Sequence, residues 1–127
     1  MGGVTVTYDI KMEREPRFLK VTLFGAETLG GHKGTTELVL EECAAHGYDR
    51  VLVDTRNLAA HLGMVEGYEF AKYLSEIAFT GSIRRLAYIH GRERDHLAPF
   101  FETVCHNRGV NIRAFADPDA AVKWLTE

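Results

Sequence analysis

The stretch Val51-Leu52-Val53-Asp54 decides the fold: it reads as a buried strand, and a helical pattern follows it from about Val65 to Phe79. The same succession recurs twice downstream. Leu86-Ala87-Tyr88-Ile89-His90 is a strand pattern and Leu97 to Arg108 a helix; Val110 to Phe115 is a strand and Pro118 to Leu125 a helix. Strands separated by helical patterns imply parallel neighbours joined by right-handed crossovers. Open sheets of this kind place function at the carboxyl ends of their strands. The sequence therefore says where to look more clearly than what is done there.

Upstream, Val4, Val6 and Tyr8 alternate with Thr5, Thr7 and Asp9, and Phe18 to Phe24 alternates again before Gly25. A charged turn, Arg14-Glu15-Pro16-Arg17, separates the two patterns. They lie too close for a helical crossover, so an antiparallel hairpin is expected. Glu27 to Gly47 then reads as a helix with a weakened start. Thr28 and Thr35 are rival caps, and Gly30, Gly31 and Gly34 each cost about 1 kcal/mol relative to alanine. From Thr36 the stripe Thr36, Val39, Leu40, Cys43 is clean, and Gly47 is a good left-handed stop. Close helix-to-sheet packing is the reading of the early glycines. Asp95 is expected to cap the Leu97–Arg108 helix, with Pro99 in its first turn and Gly109 at its end. Asp117-Pro118 marks the start of the last helix. The expected class is α/β, one domain over residues 1–127. Its sheet is mixed, mostly parallel, of about five strands, with an N-terminal β-hairpin and four helices.

Composition removes several functions. The chain has 127 residues, 46% hydrophobic and 26% charged, as a globular domain with its own core requires. A net charge of -3 gives no positive field for a phosphate backbone, so nucleic acid is not an expected partner. Uncharged apolar runs are far shorter than the ~20 residues a membrane span needs, and the start lacks a signal-peptide core. Cys43 and Cys105 fall on apolar helix faces and read as small buried hydrophobes, consistent with a cytoplasmic setting.

Candidate chemistry is sparse. Gly25 to Thr36 (GAETLGGHKGTT) resembles a phosphate loop but lacks the glycine directly before Lys-Ser/Thr that would let backbone N–H groups surround a phosphate. His61, His90 and His96, with Asp54 or Asp95, could meet near strand ends, but their spacing matches no metal site. Cys105 and His106 are neighbours on a helix, so their side chains diverge by about 100° and cannot work as nucleophile and base. Arg56, Arg92, Arg94 and Arg113 could converge on an anion. The helix after the third strand carries Val65, Tyr68, Ala71, Leu74 and Ala78, with Phe70, Tyr73 and Ile77 beside them, an arc wider than one buried stripe needs.

The order of elements, with Tyr48-Asp49-Arg50-Val51-Leu52-Val53-Asp54-Thr55-Arg56, Phe101 to Val110, and Phe115-Ala116-Asp117 before Ala120-Ala121 and Trp124-Leu125, resembles the SpoIIAA-like (STAS) domains of anti-sigma-factor antagonists. The resemblance covers nearly the whole chain and implies a mixed sheet with helices beside it, no cofactor and no catalysis. In antagonist members a Ser or Thr at the start of the helix after the third strand is phosphorylated. The matching stretch here, about Ala60 to Gly67, holds neither, with Gly63 and Met64 at the expected place; Thr55 is a nearby hydroxyl but sits too early.

Two functions follow as expectations. One is a non-enzymatic module that docks a protein partner through the Leu58–Tyr73 loop and helix, with Leu62, Met64 and Tyr68 among the partner- or ligand-binding candidates. The other, suggested by the related lipid-transfer fold, is a pocket for an apolar small molecule or lipid between the 64–79 and 97–108 helices, lined by Tyr68, Tyr73, Phe100 and Phe101. Arg56, Arg92 and Arg94 are the candidate anion-binding residues; a homodimer is the simplest use of the apolar arc. An enzyme would rest only on His61, His90 and Asp54.

Overall fold

A computed structural model describes residues 9–60, 62–77, 82–92 and 97–127. His61, Ala78, Phe79, Arg94, Asp95, His96 and the Val4–Tyr8 pattern lie outside the described residues. Strands β1 (Asp9–Arg14), β2 (Leu19–Ala26), β3 (Arg50–Ala60), β4 (Arg85–Ile89) and β5 (Ile112–Phe115) form one sheet in the order β1-β2-β3-β4-β5. The first pair is antiparallel and the other three pairs are parallel. The expected hairpin is present, but its first arm, in the described residues, is the charged Asp9–Arg14. Ile10 and Met12 alternate inward there and pack on the core, which holds the arm despite its polar neighbours. The turn closes tightly, with the Glu15 N–H donating to the Phe18 carbonyl at 3.1 Å.

Helices α1 (Leu29–His46), α2 (Met64–Glu76) and α3 (Ala98–Asn107) cross between successive parallel strands, and α4 (Pro118–Leu125) follows the last strand. Each crossover moves one strand along in the same direction. Crossovers of one hand then put their helices on one face. Leu19, Val21, Leu23, Val51, Leu86 and Ile112 point to that face and pack with Val39, Cys43, Leu74 and Cys105. The intervening residues Leu52, Ala87 and Ile89 face the other way, against Ala121 and Leu125 of α4. Because the strand order never reverses, the crevice that many open sheets open at a reversal has no counterpart in this sheet.

Helix ends follow local chemistry. Thr28 rather than Thr35 caps α1, its Oγ1 accepting from the Gly31 N–H at 2.9 Å. Thr35 lies buried nearly two turns inside the helix. Gly47 closes α1 at φ 72°, a left-handed value that favours glycine. A Cβ at Gly30 or Gly34 would meet nothing within 4 Å, so close packing does not explain those two glycines. Helix α3 starts at Ala98, with Pro99 in its first turn. Asp117 caps α4 by accepting from the Asp119 N–H at 3.2 Å. At the other end of α4, Arg50 donates to the carbonyls of Leu125 (2.6 Å) and Glu127 (3.0 Å). Arg85 donates to the Trp124 carbonyl and Arg17 to that of Thr126. Cations at a helix C-terminus complement its dipole. The Trp124 ring lies under the Arg85 and Arg113 guanidiniums, at 5.2 and 5.9 Å.

Candidate functional site

Beneath α1, α2 and α3 the sheet leaves a cavity of about 130 Å³. Its floor is built by strand alternation: Leu23 of β2, Val53 and Thr55 of β3, Leu86 and Tyr88 of β4, His90 just beyond it, and Ile112 of β5. Its roof is built by helical spacing. His32, Thr36 and Val39 come from α1, Gly67, Phe70 and Leu74 from α2, and Phe101 from α3. Aromatic rings close the roof. Phe70 stacks on His32 at 4.8 Å and on Phe101 at 6.1 Å, and Phe101 meets Tyr88 edge-on at 5.8 Å.

The cavity has a polar end and an oily end. Glu27 follows the last residue of β2, Thr55 follows the last β3 residue paired with β4, and His90 follows the last residue of β4. These groups sit at the carboxyl edge of the sheet. Leu86 and Ile112, near the amino ends of β4 and β5, with Val53, make the opposite end. At the polar end Glu27 Oε2 lies 2.9 Å from His32 Nε2, both side chains about nine-tenths buried. Glu27 Oε1 accepts from the Leu62 N–H. One carboxylate thus joins the start of α1 to the turn that enters α2. The Thr55 hydroxyl donates to the Ile89 carbonyl at 2.7 Å, and His90 Nδ1 donates to the Gly91 carbonyl at 3.0 Å.

Surface contacts lock the three helices around this space. Arg108, the C-cap residue just past α3, reaches Tyr68 of α2, its Nη2 donating to the phenol oxygen at 2.6 Å. Lys33 of α1 lies 5.1 Å from the centroid of the Tyr73 ring. Glu102 of α3 accepts from the Ala114 N–H of β5 at 2.8 Å.

Of the residues expected to bind a partner or ligand, the structure brings Leu62, which is buried, and Phe101 to the cavity. Tyr68, Tyr73 and Phe100 do not line it, which corrects that expectation. Phe100 and Phe101 are successive on a helix, about 100° apart, so one turns in as the other turns out. Tyr68 is drawn outward to Arg108, and Tyr73 packs toward α1. The wide arc of α2 divides accordingly. Phe70, Ala71 and Leu74 face the core, whereas Met64 (52% exposed), Val65 (77%) and Tyr68 (39%) face solvent, as does Phe100 (38%) on the neighbouring helix.

Other candidates separate. Asp54 and His90 are on opposite faces: Asp54 shares the α4 side with Leu52 and Ile89, whereas His90 continues the helix side of Leu86 and Tyr88. They cannot act together on one substrate. Asp54 is held instead by Arg56, whose Nε and Nη2 donate to its two oxygens at 3.0 and 2.8 Å. Burial pushes this carboxyl up, but the Arg56 hydrogen bonds and charge, helped by Lys20, outweigh it and hold it below its usual value. Arg56 therefore reaches the solvent already paired, Arg92 is exposed, and Arg113 lies against Phe115 and Trp124 on the α4 side. Cys105 is fully buried while its neighbour His106 turns out to the Ile112 carbonyl at 2.7 Å. Among the described residues no group of three His, Cys, Asp or Glu side chains could hold a metal ion, and no helix is long and apolar enough to cross a membrane.

Comparison with known proteins bears on the fold. No protein-family model matches the chain, and no curated protein matches it. Among solved structures it is similar to an uncharacterised protein of the DUF3478 family with a SpoIIAA-like fold from Shewanella loihica PV-4: 19% identity, 98% of each chain covered, TM-score 0.58. It is also similar to an anti-sigma factor antagonist from Mycobacterium paratuberculosis, at 13% identity over 95% of this chain and 96% of that one, TM-score 0.61. The chain thus has a SpoIIAA-like (STAS) fold.

Proposed function

We propose that this chain is a non-enzymatic, cytoplasmic binding domain that takes a small apolar ligand into the chamber under α1, α2 and α3. The observation that carries this reading is the cavity itself, about 130 Å³ with mostly apolar walls. A void of roughly 150 Å³ lined by Leu, Ile and Phe is known to hold benzene, so the size suits a body of about six to eight non-hydrogen atoms. The walls are close-packed side chains on strands and helices, which favours a preformed site over one assembled by the ligand. The test is methyl NMR with toluene as the probe. The Leu23, Leu74 and Leu86 methyls are expected to shift on titration, and Val53→Phe, which fills the space, should abolish the response. Unshifted methyls in the wild-type chain at saturating toluene would end the proposal.

A second reading has its own support. Met64, Val65 and Tyr68 on α2 and Phe100 on α3 are exposed large side chains on two packed helices, and one solved relative in fold is an anti-sigma factor antagonist. A protein partner docked there would be lost from a pull-down with Met64→Glu and Val65→Lys, while toluene binding persisted. The phospho-switch of antagonist domains is not part of either reading. Thr55 lines the chamber with its hydroxyl committed to the Ile89 carbonyl, so intact-mass spectrometry is expected to find no phosphate on it.

A further inference from the structure

The two borders of the sheet are finished differently. On β5 the Asn111 and Phe115 carbonyls face β4, accepting from the Leu86 and His90 N–H groups at 3.0 and 2.9 Å. Alternation then turns the backbone groups of Ile112 and Ala114 outward. Those groups are largely taken. The Ile112 N–H donates to the Val110 carbonyl at 3.0 Å, and His106 Nε2 donates to the Ile112 carbonyl at 2.7 Å. The Ala114 N–H donates to Glu102 Oε2 at 2.8 Å. Glu102 and His106 lie one turn apart on α3, so that helix blunts this border.

The opposite border is β1. Its phase is set at the turn, where Glu15 and Phe18 are hydrogen-bonded across the hairpin. The alternation of an antiparallel pair then points the backbone groups of Glu13, Lys11 and Asp9 toward β2, and those of Arg14, Met12 and Ile10 away from it. Among the described residues no strand lies beyond β1, and the cap on this row is local: the Ile10 N–H donates to Asp9 Oδ1 at 2.9 Å. A row of outward N–H and C=O groups is a template for a further strand. The side chains say which strand. Lys11 and Glu13 stand side by side on one face, 3.9 Å apart, 63% and 42% exposed. Around a two-fold axis at Met12, an antiparallel copy of β1 sets Lys11 opposite Glu13 and Glu13 opposite Lys11. Met12 then meets Met12 of the second copy as a mutually hydrogen-bonded pair. The two Lys11–Glu13 pairs fall at the non-bonded positions, where facing side chains come closest. We propose that β1 is a self-pairing edge: two copies of this chain join through it, antiparallel about Met12, into one sheet running through both.

Sedimentation velocity of the full chain over a wide concentration range tests this. The wild type is expected to dimerise. Lys11→Glu and Glu13→Lys each set like charges opposite one another twice, and each should weaken the dimer by about ten-fold or more. The first makes the negative net charge larger and the second makes it smaller, so a general charge effect would move them in opposite directions. The swap, Lys11→Glu with Glu13→Lys, should restore the dimer to within about three-fold of the wild type. Amide exchange in the wild type gives a second reading that needs no variant. The Met12 amide should exchange more slowly as concentration rises, and the Lys11 amide, already turned to β2, should change less. A monomer at every concentration, a dimer whose Met12 amide ignores concentration, or a swap as weak as the single changes would overturn the inference. So would a dimer kept in Lys11→Glu but lost in Met64→Glu, which would put the contact on α2.

Discussion

At the scale of single residues, Asp54 shows how one side chain can be decisive for stability without belonging to the site. Its side chain is 8% exposed and its partner's 46%. Arg56→Ala would leave a nearly buried carboxyl without its guanidinium. The cost of such an orphaned group is about 1–3 kcal/mol, and the low end applies because water already screens the exposed half of the pair. Chemical denaturation at pH 7 measures it. The pH dependence has a fixed sign. Asp54 binds its proton less readily folded than unfolded, so its contribution is complete above the unfolded value of about 3.9 and is lost as pH falls below that. Asp54→Asn should therefore flatten the fall in Tm between about pH 5 and pH 2. The two cysteines make a complementary case. Both are free and buried in the core under the crossover helices. Burial, and then the carboxylates of Glu42 and Asp49, push the Cys43 thiol up to about 11. Burial, and then Glu102, push Cys105 up to about 12. Thiolate is the reactive form. Neither thiol should react with iodoacetamide at pH 8 in the native chain, and both should do so in urea, counted by intact mass.

At the scale of elements, α2 separates what the sequence makes legible from what it hides. Its existence and phase follow from the apolar spacing, and Gly67 falls on the face toward α3. A Cβ there would meet Phe101 Cδ1 at 3.9 Å, an ordinary contact. Gly67→Ala is expected to raise stability by about 1 kcal/mol through helix propensity, seen as a higher Tm, and to trim the chamber slightly. The strands and the last helix were readable because alternation, Asp117-Pro118 and Gly47 each have one structural meaning. The start of α1 was not. Thr28 and Thr35 are rival caps in the sequence, and the three early glycines weigh against the earlier one. Carried back to Leu29, the same stripe places His32 one turn before Thr36 on the buried face, and the Thr36 hydroxyl donates to the His32 carbonyl at 2.7 Å. The signal was present in the spacing, but propensity pointed the other way and tertiary packing prevailed. The meeting of Glu27 with Leu62, 35 residues apart, had no local signal at all.

At the scale of the whole molecule, the sheet divides the protein into unequal sides. Three crossover helices and the chamber share one face, and among the described residues α4, with Phe18 and Phe115, covers Leu52, Ala87 and Ile89 on the other. Removing residues 118–127 would strip those side chains of Ala121 and Leu125. The truncated chain should bind the dye ANS and self-associate, visible by light scattering, because a contiguous apolar face of that kind does not stay in water. The division also governs how the molecule reports on itself. Trp124, the sole tryptophan, lies on the α4 side between Arg85 and Arg113, with the thickness of the sheet between it and the chamber. Intrinsic fluorescence is consequently a gauge of the far wall. It will register the collapse of the entire fold, yet stay nearly silent while a guest enters or leaves.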